Sequence, residues 1–170
     1  VELINDLVAH ANGVELLKPE HLIELSKGET ASGNRAVIAA GTGLGEAGLL
    51  WDPKLGRHHA FASEGGHADF SPQSDHEIEL LRFVCHRHGF VEWESVLSGP
   101  GLRNIYDFLI DPDELGPGAG LANSDPSPAD ISQAGINGAS EACVKAMEMF
   151  VRFYGAEAGN LALKALARGG

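Results

Sequence analysis

Residues 63–70, SEGGHADF, pack three ionisable side chains, Glu64, His67 and Asp69, around two glycines where a strand would end. A carboxylate can accept hydrogen bonds from adjacent hydroxyls, and a neutral imidazole donates one bond and accepts another. Glu64 with His67 therefore suits a polyol ligand. Glu64, His67 and Asp69 would also serve as metal ligands, and a polar turn capped by its own side chains accounts for the same spacing. A second candidate is GTGLG, residues 41–45. Its glycines let backbone amides approach a phosphate and tolerate the positive φ angles such a cradle uses. Glu46 stands at the third-glycine position of a dinucleotide fingerprint, and no Gly-Lys-Ser/Thr string of a P-loop is present. Phosphate charge would then fall to amides, the Thr42 hydroxyl and a metal ion; the plain alternative is a tight hairpin turn.

Asn5-Asp6 follows a short apolar stretch. It reads as a helix N-cap, or as a general base if Asp6 lies within hydrogen-bond reach of an attacking hydroxyl. SGPGL, residues 98–102, reads as helix-entry chemistry, and Glu94 by default as an isolated, solvated acid. His58-His59 and His86-Arg87-His88 have no cysteine or carboxylate cluster beside them in sequence, which argues against a metal site there.

These residues need elements to hold them. Apolar runs at 37–40 and 47–51 flank the glycine-rich string and predict a hairpin, and 57–63 adds a third strand to make an antiparallel meander. Ser74 followed by Glu77 matches a capping box, and Ile78, Leu81, Val84 and His88 share one helical face until Gly89. A second helix is expected over 102–110, ending before Asp111-Pro112. The longest spans about 139–167, with Gly155 and Gly159 marking a break or a close packing site. Residues 116–128, rich in Gly, Pro and Ser, predict a long loop. Strands followed by helices give a mixed α/β class.

Composition narrows the function. A chain of 170 residues, 44% hydrophobic, suits one domain or slightly more. Twelve Lys and Arg against 24 Asp and Glu leave a net charge of −12, which excludes a sequence-independent grip on nucleic acid or an anionic membrane. No apolar run reaches transmembrane length, and the first residues carry acids where a signal peptide carries bases. Two lone cysteines, Cys85 and Cys143, fit a reducing cytoplasm. A start at Val1 without methionine and an end at Gly170 lead us to expect a piece of a longer protein.

Taken in order, INDL, AAGTGLGEAGLL, SEGGHADFSP, ESVLSGPGLRNIYDFL and FYGAEAGNLALKALARGG resemble the bacterial ATP-dependent glucokinase family from Ile4 to Gly170. The resemblance implies the α/β ribonuclease H-like fold of hexokinases and actin, two domains with sugar and nucleotide in the cleft between them. Residues 1–13 would be a hinge-proximal segment and 14–170 most of the larger domain. It implies that Asp6 is the base that deprotonates the sugar 6-hydroxyl, that Asn5 binds a neighbouring hydroxyl, and that Glu64, His67 and Glu94 bind glucose. Gly41, Thr42 and Gly43 match the family's second phosphate-binding loop. ATP and Mg2+ are the implied cofactors, and a homodimer the implied assembly. The family's upstream aspartate-glycine-glycine-threonine loop has no counterpart in these residues, and the apolar strand and glycine-rich loop that follow its Gly-Gly have none either. An isolated 170-residue piece is therefore expected to be inactive as a kinase. A non-catalytic hexose sensor of the same superfamily is the alternative, and a metal-dependent hydrolase on Glu64, His67 and Asp69 a remote third; the base Asp6 weighs against a pure binder.

Overall fold

The computed structural model describes residues 4–26, 32–111, 114, 119–122 and 125–169. They divide between two compact units, one built from 1–39, 45–65 and 158–170, the other from 40–44 and 66–157.

In the first unit Asn5 starts helix α1 (Asp6–Val14): its Oδ1 accepts from the amides of Leu7 at 2.9 Å and Val8 at 3.2 Å, donors that a helix start otherwise leaves unpaired. Three strands, β1 (Arg35–Ala40), β2 (Leu44–Asp52) and β3 (Arg57–Ser63), form a sheet in that order. The meander read from the apolar runs is present, with β1 and β2 starting earlier than expected. β2 and β3 pair antiparallel, from Glu46 opposite Ser63 to Asp52 opposite Arg57. Ala11 of α1 is buried with Ala47 and Leu49 of β2, flanked by Leu7, Val37 and Ala60. Alanines at the contact let the helix backbone approach the sheet closely. His58 is buried; Nδ1 pairs with the Glu15 carboxylate and Nε2 lies 2.9 Å from the Gly33 carbonyl. It ties the end of α1 to the sheet.

In the second unit α2 (Asp75–His88) opens on Ser74, whose Oγ accepts from the Glu77 amide at 3.3 Å, and closes on Gly89 at φ 84°, the left-handed conformation that glycine adopts without strain. The expected capping box is only half formed. Glu77 Oε2 accepts from the amide of Gln73 at 2.5 Å and Oε1 pairs with Arg152 at 2.8 Å, so this buried carboxylate ties α2 to the last helix.

Helix α3 (Gly99–Leu109) begins three residues before the expected start, because Ser98 Oγ accepts from the Gly101 amide at 2.9 Å and Pro100 supports the first turn. Its buried Leu102, Ile105, Tyr106 and Leu109 follow helical spacing. Of the expected loop at 116–128, residues 116–118, 123 and 124 lie outside the described residues, as does Pro112; the loop gives way at Pro128 to α4 (Pro128–Ile136), which the sequence pattern left unread. Phe70 meets Trp93 and Phe153 edge to face, each with centroids 5.1 Å apart. The last helix, α5 (Glu141–Ala165), is continuous. Gly155 and Gly159 neither break it nor make a close approach: nothing lies within 4 Å of where their Cβ atoms would be. No helix among the described residues is long and apolar enough to cross a membrane.

Two outcomes follow. Glu77→Ala leaves the Gln73 amide and Arg152 without their carboxylate, and should lower the unfolding free energy by about 2 kcal/mol in urea titration. Asp130 caps α4 in a box with Ser127, at 2.9 Å from the Ser127 amide and 3.2 Å in return; the Ser127 hydroxyl, then its amide, hold the Asp130 carboxyl below its ordinary value. A lowered carboxyl stabilises fully above its unfolded-state value, and the contribution is lost as pH falls through the folded one. Protection of the amides in the first turn of α4, taken relative to their intrinsic exchange rates at each pH, should fall on acidification in the parent and respond less in Asp130→Asn.

Candidate functional site

Among the described residues one set of histidine and carboxylate ligand atoms lies within 4.8 Å of one another: His67, Glu92 and Glu94. His67 ends a single 3-10 turn, Gly65–His67, directly after β3. Beyond it, residues 68–70 run antiparallel to 91–93: Asp69 bridges Glu92, Phe70 N donates to Val91 O at 3.1 Å, and Trp93 N donates to Ala68 O at 3.0 Å. This pairing carries Glu92 to the imidazole, and His67 Nδ1 lies 2.9 Å from Glu92 Oε1.

Glu94 belongs to the 3-10 turn Trp93–Ser95. Its Oε2 accepts from the buried amide of Leu44 at 2.8 Å, so the expectation of an isolated, solvated acid does not hold. The carboxylate needs room at the hairpin tip. A Cβ on Gly43 would collide with Oε2 and lie 3.1 Å from Cδ, and a Cβ on Gly66 would collide with the Leu44 carbonyl. The tip is closed by Gly41 N to Gly43 O and fastened by Gly99 N to Gly41 O, both 2.8 Å. The expectation that the GTGLG glycines adopt positive φ is also corrected. Among the described residues positive-φ glycines are Gly33, Gly56, Gly89 and Gly138; at 43 and 66 it is space that demands glycine.

A cavity of about 260 Å³ opens here, with the polar Thr42, Glu92, Glu94, Ser98 and Asn104 and the apolar Phe90 and Pro100 in its wall. Carboxylates, an amide and hydroxyls around such a space suit a ligand rich in hydroxyl groups. Thr42 places the GTGLG string beside it. The ligand-like set is not the Glu64, His67 and Asp69 group that the sequence spacing offered; Glu92 and Glu94 stand with His67 instead.

Asn5, Asp6 and Glu64 lie in the first unit. Asn5 and Asp6 sit together at the start of α1, where Asp6 Oδ1 accepts from Leu7 N at 2.8 Å, and both are exposed. Glu64 is exposed at the end of β3, beside Gly65, whose missing Cβ leaves room for the Glu46 carboxylate. Glu92 is the residue that sequence reasoning passed over. Its signal was the pattern in VEWES, with Glu92 and Glu94 on either side of the buried Trp93; a 3-10 turn that starts at Trp93 then sets Glu94.

A family model for glucokinase matches residues 1–170. The glucokinase of Nostoc sp. (strain PCC 7120) is 38% identical over 189 aligned residues, covering 100% of this chain and 54% of that protein. A glucokinase from an Antarctic psychrotroph superposes with a TM-score of 0.80 at 30% identity, over 98% of this chain and 50% of that one. A Balamuthia mandrillaris glucokinase solved in complex with glucose gives 0.75 at 25% identity, over 97% and 49%. The chain thus spans about half the length of the curated relatives it matches, and it has the α/β fold of these solved structures.

Space at the tip makes a direct test. Gly43→Ala must displace the Glu94 carboxylate and should cost about 1–3 kcal/mol in denaturant unfolding. Gly41→Ala, with nothing within 4 Å of its Cβ position, should stay within about 0.5 kcal/mol of the parent.

Proposed function

The chain belongs to the glucokinase family, and from that premise we propose that it forms part of an enzyme transferring the γ-phosphoryl group of ATP to the 6-hydroxyl of glucose. The observation that carries the reading is the meeting of His67 and Glu94 beside the cavity that Thr42 lines. Of the motif residues assigned by resemblance, His67 and Glu94 for sugar and Thr42 for phosphate belong to that part of the molecule. The solved relative with glucose bound supports the choice of sugar.

Asp6 is the general base in this reading. As the glucose O6 attacks the γ-phosphorus, the O–P bond to the β-phosphate breaks, its electron pair leaves with ADP, and the hydroxyl proton passes to Asp6. Asn5 binds a neighbouring hydroxyl. Glu64 and His67 take further hydroxyls, and Glu94 takes the anomeric side through Oε1 while Leu44 N holds Oε2. Acceptors placed for particular hydroxyls reject an analogue that lacks one, because the buried group then stays unpaired. Of Gly41, Thr42 and Gly43, the last two contribute amides and Thr42 its hydroxyl to the phosphates, while Gly41, whose amide is bonded to the Gly43 carbonyl, shapes the tip. Residues 1–13 act as the hinge-proximal segment and 14–170 as part of the large domain.

Magnesium accompanies the nucleotide in phosphoryl transfer. The His67, Glu92 and Glu94 set does not suit it: magnesium prefers oxygen ligands and retained waters, one member is an imidazole, and both carboxylates already accept hydrogen bonds. No step runs through a metal on these residues. Cys85 and Cys143 are free thiols, which supports a cytoplasmic setting.

The test is made in the full-length protein with a coupled glucose-phosphorylation assay. Asp6→Asn keeps the side-chain shape and removes the base, and should lower kcat by about 10²–10⁴-fold with little change in the KM for glucose. A variant turning over at the parent rate would show that Asp6 is not the base.

A further inference from the structure

We propose that Glu92 is a positioning residue for His67, selecting which ring nitrogen carries the proton and so fixing the imidazole as a hydroxyl acceptor. The proposal rests on reading His67 as a glucose-binding residue. Left to itself the ring would be poorly defined: it stands on a three-residue turn with its side chain 54% exposed. Glu92 is the better anchored partner, with a side chain only 20% exposed. Its amide donates to Ser95 Oγ at 3.2 Å, its carbonyl accepts from Ser95 N at 3.0 Å, and its neighbours Val91 and Trp93 are bonded to Phe70 and Ala68.

An ionised carboxylate only accepts hydrogen bonds, so in the 2.9 Å contact with Glu92 Oε1 the proton sits on His67 Nδ1. In the neutral ring Nε2 is then the acceptor, and the hydrogen bond at one nitrogen sets the role of the other. The two carboxylates at the cavity thereby divide the work: Glu94 is held by the Leu44 amide, and Glu92 holds the His67 ring. An imidazole locked as an acceptor matches a ligand that presents hydroxyl donors, as the carboxylates of Glu64 and Glu94 also do. Sequence spacing alone would pair His67 with Glu64 or Asp69; the antiparallel bridge at Asp69 and Glu92 brings the partner from a separate part of the chain.

The test uses the full-length protein, glucose as the probe and saturating ATP. Losing a hydrogen bond to a charged group at a binding residue should raise the KM for glucose about tenfold in Glu92→Ala and leave kcat within about twofold. Glu92→Gln, whose amide oxygen still accepts from Nδ1–H, should remain within about threefold of the parent KM. In a His67→Ala background Glu92→Ala should add less than about twofold, because a residue acting only through another contributes nothing once that other is gone. Nitrogen-15 spectra of His67 should report the Nδ1–H tautomer in the parent and its loss in Glu92→Ala. If His67→Ala raises KM while Glu92→Ala does not, or if Glu92→Ala costs the same with and without His67, the positioning role is overturned. If His67→Ala leaves KM unchanged, the glucose reading of that histidine fails instead, and the tautomer spectrum of the two Glu92 variants still decides whether Glu92 sets the ring.

Discussion

The backbone of Leu44 is held on both sides, at its amide and at its carbonyl, and the arrangement of the second unit's site depends on it. Its amide is buried and must find an acceptor within the protein; Glu94 Oε2 supplies one at 2.8 Å. Its carbonyl lies against Gly66 so closely that no side chain can stand there. One backbone unit therefore fixes the carboxylate on one side and the turn that ends in His67 on the other. Gly43 follows from the same constraint, since the Glu94 carboxylate occupies the space its side chain would need. Gly41, bonded through its carbonyl to Gly99, links the tip to the start of α3. The glycine-rich string and the Glu-Gly-Gly-His string look like separate motifs in sequence, but they share a packing problem.

Legibility followed the range of the interaction. The hairpin, the Ser74 and Ser98 caps, the stop at Gly89 and the Asn5 cap could be read because each depends on residues within a few positions, where residue type alone biases the backbone. The Glu77 half of the expected box failed because a distant cation, Arg152, took one carboxylate oxygen and Gln73 the other. Gly155 and Gly159 misled for the opposite reason: a helix tolerates glycine at modest cost, and no neighbour uses the space. The end of α5 was equally hidden. Leu166 takes φ 48°, a position that favours glycine, while Ala167 N closes the helix onto Ala162 O at 2.8 Å and Ala167 bridges Asn34.

The candidate site divides along the same line. Asp6, Glu64, His67 and Glu94 were singled out by motif, since each stands in a string whose residue types are unusual together. Glu92 was not, because its role comes from pairing 91–93 with 68–70, a contact that no local pattern encodes. Glu94 shows the intermediate case: its position was noticed, yet its burial and its bond to Leu44 depend on the hairpin tip reaching it. Motifs singled out the candidate groups, and long-range pairing supplied the contacts that hold His67 and Glu94 in place.

The charge balance then constrains how such a site meets a phosphate. With a net charge of −12, the chain offers no long-range attraction for a polyanion, and much of its positive charge is committed. Arg35 pairs with Glu15, Arg82 with Glu79, Arg87 with Asp107, Arg152 with Glu77, and Arg103 with both Asp107 and Asp125. The Arg103 guanidinium is held still more firmly charged by its hydrogen bonds to Asp107 and then Asp125. A nucleotide phosphate at Gly41, Thr42 and Gly43 would be met by backbone dipoles and one hydroxyl, which act over a few ångströms and leave more distant anions unattracted. The acidity of the chain gives a polyanion no attraction from afar, while Gly43, whose side-chain space the Glu94 carboxylate fills, leaves the backbone of the tip open to close approach.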